Sequence, residues 1–478
     1  MASCRAGCQI NNLHHEGENM QRSLWLRRLA VLMVFGLLAA ACGGDEETED
    51  TGATETDTEM TETETETETA AETETDGETT AGASVDGTLQ IGTILPQTGD
   101  LAVLGPAMVE AVKLAVEQVN EAGGVLIDGE LTEVELQIGD SGTNEQVASN
   151  TLDQLLNDGI DAFVGAASSR ISLSIIDKAT GADVVMCSPS NTGSALTTAE
   201  DETPGFYFRT APPDNLQGPA LANVITGDGY SDVAIIALND EYGQGFANEL
   251  ESAISDAGGN VVANVAYDPA GTEFSADVQQ ALEADPQAIA LISFPDTGSK
   301  IIRELLSAGI EPDQIYTADG MQGEQVAELV NPDDASAIDG MKGTAPSSQG
   351  SEQFSQAFQE FAPEGTPQIF SAHAYDCAIL IALASSIAGT DDPAQFNTEI
   401  VQATKEGEKC DSYSACLELI QGGTTDIDYD GATGTLDFID VGEPASGTYE
   451  IWQFDSSAEG GITTLDTTTI EGEGGGDS

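Results

Sequence analysis

The sequence predicts an α/β protein in which helices cover both faces of parallel β-sheets. Short apolar runs such as "LQIGTIL" are typical of buried strands, and longer segments with apolar residues at helical spacing lie between them. The two kinds of segment alternate over more than two hundred residues, which favours parallel sheets over an antiparallel meander. Ligands of such folds bind beyond the carboxyl ends of the strands, so we expect the loops there to carry function.

The first strand, Leu89 to Leu95, is ended by Pro96, and helical spacing then runs from Pro106 to the Gly123-Gly124 stop. Six further strands are predicted: "VELQIGD", "DAFVGA", "DVVMCSP", "DVAIIAL", "NVVANVAY" and "AIALISF". Six further helices are predicted: "NEQVASNTLDQLLNDG", "SSRISLSIIDKAT", "NLQGPALANVITGDG", "GQGFANELESAISDAGG", "FSADVQQALEAD" and "TGSKIIRELLSAGI".

The N-terminal segment has the features of a secretory signal. Arginines precede an uncharged run from Leu29 to Gly44, whose 16 residues would span about 24 Å as a helix, short of the roughly 30 Å hydrocarbon core of a bilayer. "LAAAC" resembles the bacterial lipobox at the end of the expected signal peptide, residues 1–42, which implies lipidation of Cys42 and removal of residues 1–41. Residues 1–19 carry acids and two cysteines, so Met20 is the expected start of translation.

Residues 43–85 form an acidic linker with the run "TETETETETAAETETDGETT". It has almost no apolar side chains to bury and its charges repel one another, so we expect disorder. A flexible tether of this kind would hold a folded domain above a membrane.

The rest of the chain is strongly acidic. From Ser84 onward there are 66 acidic and 9 basic residues, a net charge of −57. Such a surface argues against nucleic acid as a partner and against attraction to anionic lipid. Because salt screens this repulsion, we expect the protein to gain stability with ionic strength, as a protein adapted to saline surroundings would.

Cysteine usage predicts one disulfide bond. Cys410 and Cys416, in "EKCDSYSACLEL", are close enough to pair in an oxidising compartment. Cys187 falls in a predicted strand and Cys377 in a predicted helix, and we expect both to be buried thiols.

Seven stretches together resemble the branched-chain amino-acid type of substrate-binding protein of ABC importers. They are "AVEQVNEAGGV", "FVGAASS", "VMCSPSNT", "FYFRTAPPDNLQG", "VAIIALNDEYGQG", "TADG" and "DYDGATGTLDF". The resemblance extends from Asp86 to Thr468. It implies two Rossmann-like lobes of the type I periplasmic binding protein (Venus flytrap) fold, joined by three crossover strands.

The resemblance also implies a division of the chain. We expect crossovers near Arg209-Thr210, Gly343-Thr344 and Gly431 to Thr435. The expected boundaries are 86–209 plus 344–432 for lobe one, 210–343 plus 433–468 for lobe two, and 469–478 for a disordered tail.

A free amino acid presents a carboxylate and an ammonium, and each must find a partner when the cleft excludes water. Ser168 and Ser169 stand where a strand feeds a helix, whose free N–H groups suit a carboxylate; plain capping of the helix is the alternative. Ser190, Asn191 and Thr192 match the family's second carboxylate-binding loop, although a simple polar turn would have the same composition.

The remaining contacts are implied by the resemblance alone. Asp319 falls where the family places an acid, often Glu, for the ammonium. Tyr242 matches an aromatic of lobe two that lies against the ligand. Phe294 stands where some members have Tyr, Leu104 replaces a common aromatic, and Phe370 is a candidate wall; Phe294 and Phe370 could equally belong to the core.

Two features of the sequence could indicate another function, a metal site or an enzyme. "DIDYDGATGTLD" has the acid spacing of an EF-hand loop, but the sequence after it reads as a strand, so we expect no metal and no cofactor. His373 is the only histidine after Ser84, and it lies four residues from Cys377. This arrangement does not indicate a catalytic pair, so we expect that the protein is not an enzyme. The predicted function is an extracytoplasmic, lipid-anchored protein that delivers a small ligand, foremost an amino acid, to an ABC permease and its ATPase. A ligand-sensing receptor of the same fold is the alternative, as are amides, urea, polyamines and aromatic acids as ligands.

Overall fold

A computed structural model describes residues 82–199, 205–348 and 350–472. The expected signal segment, Met20, the lipidation site Cys42 and the linker as far as residue 81 lie outside the described residues. So do residues 473–478 of the expected tail.

The first half of the described chain builds a five-stranded parallel sheet. Its strands stand in the order β4-β1-β5-β6-β7, and β2 and β3 form a separate hairpin. The strands are β1 (Gln90–Leu95), β2 (Val125–Ile127), β3 (Glu130–Thr132), β4 (Glu135–Asp140), β5 (Ala162–Gly165), β6 (Val185–Ser188) and β7 (Tyr207–Arg209). The helices among them are α1 (Gly105–Glu121), α2 (Glu145–Asn157), α3 (Ser169–Gly181) and α4 (Ala195–Ala199).

Side chains alternate between the two faces of this sheet, and each face has its own helices. Ile94, Phe163 and Met186 are buried with apolar residues of α2 and α3. Val164 and Cys187 belong instead to the core that includes α1. This two-sided burial is the reason why the strands read as continuous apolar runs.

A seven-stranded sheet follows, in the order β17-β16-β12-β11-β10-β8-β9. Its strands are β8 (Asp232–Leu238), β9 (Asn260–Tyr267), β10 (Ala288–Ile292), β11 (Ile315–Thr317), β12 (Lys342–Pro346), β16 (Ser446–Phe454) and β17 (Ile462–Glu471). β8 to β12 are parallel, and the β16–β17 hairpin is added antiparallel to β12. The helices of this part are α5 (Asp214–Gly227), α6 (Glu241–Asp256), α7 (Ser275–Leu282), α8 (Pro295–Ser307) and α9 (Gln325–Val330).

Between β12 and β16 the chain returns to the first sheet. This segment contains α10 (Glu352–Phe361), α11 (Ser371–Ala388), α12 (Pro393–Gln402) and α13 (Tyr413–Gln421), and the short strands β13 (Glu408–Cys410), β14 (Ile427–Gly431) and β15 (Gly434–Thr435). Helix α11 is apolar enough to span a membrane by length and composition, but 16 of its 18 residues are buried in the protein. It is therefore a core helix, and it packs against α1.

The chain thus has the expected fold class: two α/β lobes with parallel sheets flanked by helices, between which the chain crosses three times. Two details differ from the expected boundaries. β12 continues through Pro346, beyond Gly343-Thr344, because Pro346 still pairs with Tyr449. β17 continues past Thr468 to Glu471, which pairs with Ser446.

Both cysteine predictions can be compared with the structure. Cys410 and Cys416 form a disulfide bond, as predicted. The prediction of buried thiols for Cys187 and Cys377 was wrong, because these residues form a second disulfide bond. Strand β6 and helix α11 pack together and bring the two Cα atoms to 5.7 Å, within the range that a disulfide requires, although 190 residues separate them.

Candidate ligand-binding site

Eight of the ten predicted site residues line one pocket between the two sheets. They are Leu104, Ser168, Ser169, Ser190, Tyr242, Phe294, Asp319 and Phe370. Six of the eight follow the carboxyl ends of β5, β6, β8, β10 and β11, the position expected for parallel sheets. Asn191 and Thr192 are buried but are not among the residues that line this pocket.

Helix α3 presents its N-terminus to the pocket. Ser168 is its N-cap residue, but its hydroxyl makes no capping hydrogen bond and has no partner although it is buried. The Ser169 hydroxyl accepts a hydrogen bond from the Gly193 N–H at 3.2 Å. Capping therefore does not account for Ser168, whose hydroxyl remains available to a ligand.

The loop after β6 is held mainly by its own contacts. The Asn191 amide donates to the Ala167 carbonyl at 2.9 Å and accepts from the Tyr207 hydroxyl at 3.1 Å. Ser190 Oγ donates to the same carbonyl at 3.2 Å. The side chain of Asn191 is thus used in shaping the loop, and its contact with a ligand stays a prediction.

Thr192 lies beside a carboxylate that the sequence reasoning missed. Its hydroxyl is buried without a hydrogen-bond partner, and both side-chain oxygens of Asp214 are buried and unpartnered as well. The Asp214 N–H donates to the Thr192 carbonyl at 2.8 Å, which fixes the two residues together. A fully buried carboxylate without donors is costly unless a cation binds it or a proton neutralises it.

Asp319 is the second buried carboxylate of the site and is 5% exposed. Its Oδ1 accepts hydrogen bonds from the Tyr242 hydroxyl and the Gln217 amide, both at 3.1 Å. Gln217 also donates to the Thr344 carbonyl at 3.0 Å, so the crossover at β12 helps to orient Asp319.

Burial raises the pKa of Asp319 to about 6, and the hydrogen bonds from Tyr242 and Gln217 limit the rise. Burial raises the pKa of Asp214 well above its usual value, and the nearby charge of Asp319 raises it further. The Thr192 hydroxyl and Arg209 counteract this rise, although Thr192 does not reach normal hydrogen-bond geometry with Asp214. The raised pKa favours the neutral, protonated form of Asp214, whereas Asp319 is the more readily ionised of the two.

Aromatic and apolar side chains close the other walls. The rings of Tyr242 and Phe294 are stacked, with centroids 5.4 Å apart and planes 3° from parallel. Phe370 precedes α11 in a left-handed conformation with φ of 56° and is buried at the pocket, as is Leu104. In this structure the walls lie close together and leave a free volume of only about 20 Å³. An amino acid can therefore enter only if the lobes move apart.

Arg209 supports the site from behind. It is 0% exposed, and its Nε donates to Glu443 at 2.9 Å. Its Nη1 donates to the Gly193 carbonyl at 3.0 Å, next to Thr192. Since the guanidinium is paired with Glu443 and with the loop, Arg209 positions this loop at the crossover and is not a free partner for a ligand carboxylate.

The residues that could have indicated an enzyme or a metal site have other contacts in the structure. Cys377 is disulfide-bonded, and burial lowers the pKa of His373 to about 4, which keeps the imidazole neutral. In the acid-rich segment at β14, Lys409 Nζ lies 2.9 Å from carboxylate oxygens of Asp428 and Asp430 and forms an ion pair with each.

Comparison with known proteins agrees with the fold described above. Residues 88–457 match the family described as periplasmic binding protein. The chain belongs to this family. Its members are extracytoplasmic substrate-binding proteins and not enzymes, and relatives of the branched-chain amino-acid type, which the sequence led us to expect, are among those that match.

Two curated relatives cover most of the chain. The chemotactic signal transduction system substrate-binding protein BasB of Halobacterium salinarum is 27% identical over 75% of this chain and 85% of its own length. The leucine-, isoleucine-, valine-, threonine- and alanine-binding protein of Pseudomonas aeruginosa is 27% identical over 64% of this chain and 80% of its own length.

Two solved structures share the periplasmic binding protein fold. The leucine-binding protein LivK of Thermotoga maritima has a TM-score of 0.64 at 21% identity and covers 80% of this chain and 99% of its own. A solute-binding protein of an ABC transporter from R. palustris, in complex with 4-hydroxybenzoate, has a TM-score of 0.63 at 15% identity, with coverage of 80% and 98%.

Proposed function

We propose that this protein is a lipid-anchored solute-binding protein that captures a free amino acid between its two lobes and delivers it to an ABC permease. The observation that carries the proposal is one pocket between the two sheets that holds a buried hydroxyl without a partner and a buried carboxylate. The Ser168 hydroxyl, at the N-terminus of α3, is a donor without an acceptor, and Asp319 is the carboxylate that lines the pocket. An α-amino acid supplies the complementary groups, a carboxylate for the donor and an ammonium for the acid.

The two ends of the ligand have distinct partners in this proposal. The carboxylate binds at the N-terminus of α3, where the N–H groups of the first turn and the Ser168 hydroxyl converge and the helix dipole favours negative charge. The ammonium binds the carboxylate of Asp319, which lines the pocket, whereas Asp214 does not line it. Tyr242 and Phe294 cover the bound molecule and exclude water.

The positions of these residues explain why a bound ligand would close the two lobes. Ser168 and Thr192 belong to loops of the five-stranded sheet, whereas Tyr242, Phe294 and Asp319 belong to loops of the seven-stranded sheet. A ligand that docks on the first loops contacts the second set only when the lobes close. That differential contact shifts the population toward the closed form, which a permease can recognise.

The carboxylate of Asp319 favours amino acids over aromatic acids as ligands. An aromatic acid such as 4-hydroxybenzoate has a carboxylate for the helix terminus but no cation for Asp319. Binding it would leave the buried charge of Asp319 without a cationic partner or require Asp319 to be protonated, which is unfavourable near pH 7 because its pKa is about 6.

A thermal-shift screen of the mature protein tests the proposal. A ligand present at 100 times its Kd adds about 2.7 kcal/mol to the free energy of unfolding. We expect stabilisation by one or more L-amino acids and no stabilisation by benzoate, 4-hydroxybenzoate or the matching amino-acid amides, which lack the carboxylate. Stabilisation by aromatic acids alone would contradict the proposal.

Sensing is a second candidate, supported by the name of the chemotactic relative from Halobacterium salinarum. The binding site would serve both roles. The genes beside this one distinguish them, because permease and ATPase genes favour import, whereas a kinase or signal transducer favours sensing. The lipid anchor at Cys42 is tested by labelling with a radioactive fatty acid, with Cys42→Ala as the control.

A further inference from the structure

Both lobes are strongly acidic, so closure of the cleft brings like charges together. With the boundaries expected from the sequence, lobe one has 33 acidic and 6 basic residues, and lobe two has 30 acidic and 3 basic residues. Each lobe therefore has a net charge of −27, and the repulsion between the lobes grows as the cleft narrows. Attraction between opposite charges across the interface would offset part of this repulsion.

A basic side chain lies at the contact between the lobes, next to the ligand pocket. Arg170 is the second residue of α3 and directly follows Ser169, which lines the pocket. Asp240 is the N-cap of α6 and stands two residues before Tyr242, which lines the pocket from the other lobe. Helices α3 and α6 are in contact, and Nε of Arg170 lies 4.0 Å from Oδ2 of Asp240. Arg170 thus brings a cation of lobe one to a carboxylate of lobe two.

Asp240 is buried at this contact. Its side chain is 3% exposed, whereas that of Arg170 is 32% exposed. Oδ1 of Asp240 accepts the Gly243 N–H at 2.9 Å and so caps α6, and Oδ2 is the oxygen that is nearer to Arg170. Burial raises the pKa of Asp240, and the Gly243 N–H and Arg170 counteract this rise. Without Arg170, closure would bury the charge of Asp240 without the cation that now faces it.

Other carboxylates of both lobes lie near Arg170. Glu145, of α2 in lobe one, is paired with Nη1 of Arg170 at 2.5 Å. Partial burial raises the pKa of Asp100, which follows β1, and the charge of Asp296 in lobe two raises it further. Arg170 and Lys300 lower it. Removing the charge of Arg170 would therefore leave acids of the two lobes facing one another.

We propose that Arg170 is a positioning residue for ligand binding, whose charge holds the two acidic lobes together in the closed form. Arg170 does not line the pocket, so it acts through closure and not through contact with the ligand. A ligand that brings Ser169 and Tyr242 together also brings their neighbours Arg170 and Asp240 together. The inference rests on the proposed function, because it takes the closed form to be the one that holds an amino acid.

Isothermal titration of the mature protein at pH 7.5 tests the inference. The common L-amino acids are titrated into the wild type, and the one that binds most tightly is then titrated into the variants. Because Arg170 is partly exposed, we expect Arg170→Gln to lose less affinity than breaking a fully buried pair would cost, about tenfold in Kd at 0.1 M salt. At 1 M salt, where the Debye length is about 3 Å, the loss relative to the wild type should shrink to about threefold or less.

Two further variants separate the role of the charge from a structural role. Arg303→Gln is the matched control, because Arg303 is exposed on α8 and donates to the Leu329 carbonyl within lobe two. It should leave the Kd within about twofold of the wild type. Asp240→Asn keeps an oxygen that can cap α6 and removes the charge that faces Arg170. Combined with Arg170→Gln, it should bring the Kd back to within about threefold of the wild type.

The outcomes separate the two proposals. If Arg170→Gln binds as tightly as Arg303→Gln, the role of Arg170 is refuted while the amino-acid function stands. The same conclusion follows if the loss persists at 1 M salt or in the double variant with Asp240→Asn, since a structural defect would be relieved by neither. If no amino acid binds the wild type, both proposals fail.

Discussion

Replacing Asp319 with Asn tests the assignment of the ammonium site directly. The substitution keeps the size of the side chain and an oxygen that can accept from Tyr242 and Gln217, which lie at 3.1 Å in the structure. It removes only the negative charge. Any loss of affinity therefore measures the charge and not the shape of the pocket.

The expected loss follows from burial. Removing one partner of a buried charge pair costs about 3–5 kcal/mol, or about 10² to more than 10³ in Kd. Because the side-chain oxygen of Asn can still accept a hydrogen bond from the ammonium, we expect the lower end, about a hundredfold. The wild-type Kd should also rise about tenfold as the pH falls from 7.5 to 5, since protonation of Asp319, with its pKa of about 6, removes the same charge. The Asn variant should lack most of this pH dependence.

Isothermal titration at several pH values measures both effects. Asp161→Asn is the matched control, because Asp161 is also a buried carboxylate with a raised pKa but lies outside the ligand pocket. Thermal unfolding of each variant establishes that it is folded. If Asp319→Asn binds every amino-acid ligand within threefold of the wild type, or if Asp161→Asn loses as much affinity, Asp319 is not the ammonium partner.

Further expectations concern the site, the stability and the surface. Ser168→Ala should weaken binding about five- to tenfold through loss of one hydrogen bond to a charged group, with the melting temperature of the empty protein unchanged; equal affinity would remove Ser168 from the site. Asp161→Asn should stabilise the protein by roughly 2–4 kcal/mol at pH 7.5, because burial raises the pKa of Asp161 to about 8 and folding must therefore take up a proton. The contribution of this group to stability falls as the pH rises from about 4 to 8, so urea unfolding at pH 4 should show little gain. Replacing both Cys187 and Cys377 by Ala should cost up to about 5 kcal/mol, because the disulfide closes a loop with a separation of 190 residues, and replacing Cys410 and Cys416, six residues apart, should cost about half as much; equal losses would contradict the loop-entropy argument. The melting temperature should rise between 0.1 M and 1 M salt, where the Debye length falls from about 10 to about 3 Å, and a constant value would show that the acidic surface does not destabilise the fold.

Strand–helix alternation and the resemblance were sufficient to predict the fold and most of the residues that line the pocket. Ser168, Tyr242 and Asp319 could be found because loops after parallel strands meet at one edge, whatever the details of packing. Asp214 was missed because an acid at the start of a helix is commonplace in a chain with 84 acidic residues. Only its burial without donors, next to Asp319, distinguishes it. Its place in "TAPPDNLQG", directly after a crossover strand, was the available signal.

Contacts between distant segments depended on the tertiary structure. The Cys187–Cys377 bond joins β6 to α11, and no periodicity along the chain specifies that these two elements pack together. The same holds for the pocket at Asp319, whose walls come from both lobes.

The sequence by itself determined the α/β class, the family and the loops that carry the site, because periodicity and strand ends are local properties of the chain. The tertiary structure decided which carboxylate is buried, which cysteines bond and which hydroxyl of the pocket is left without a partner. These depend on desolvation and on close approach of segments far apart in sequence, and neither is encoded in any one stretch of residues.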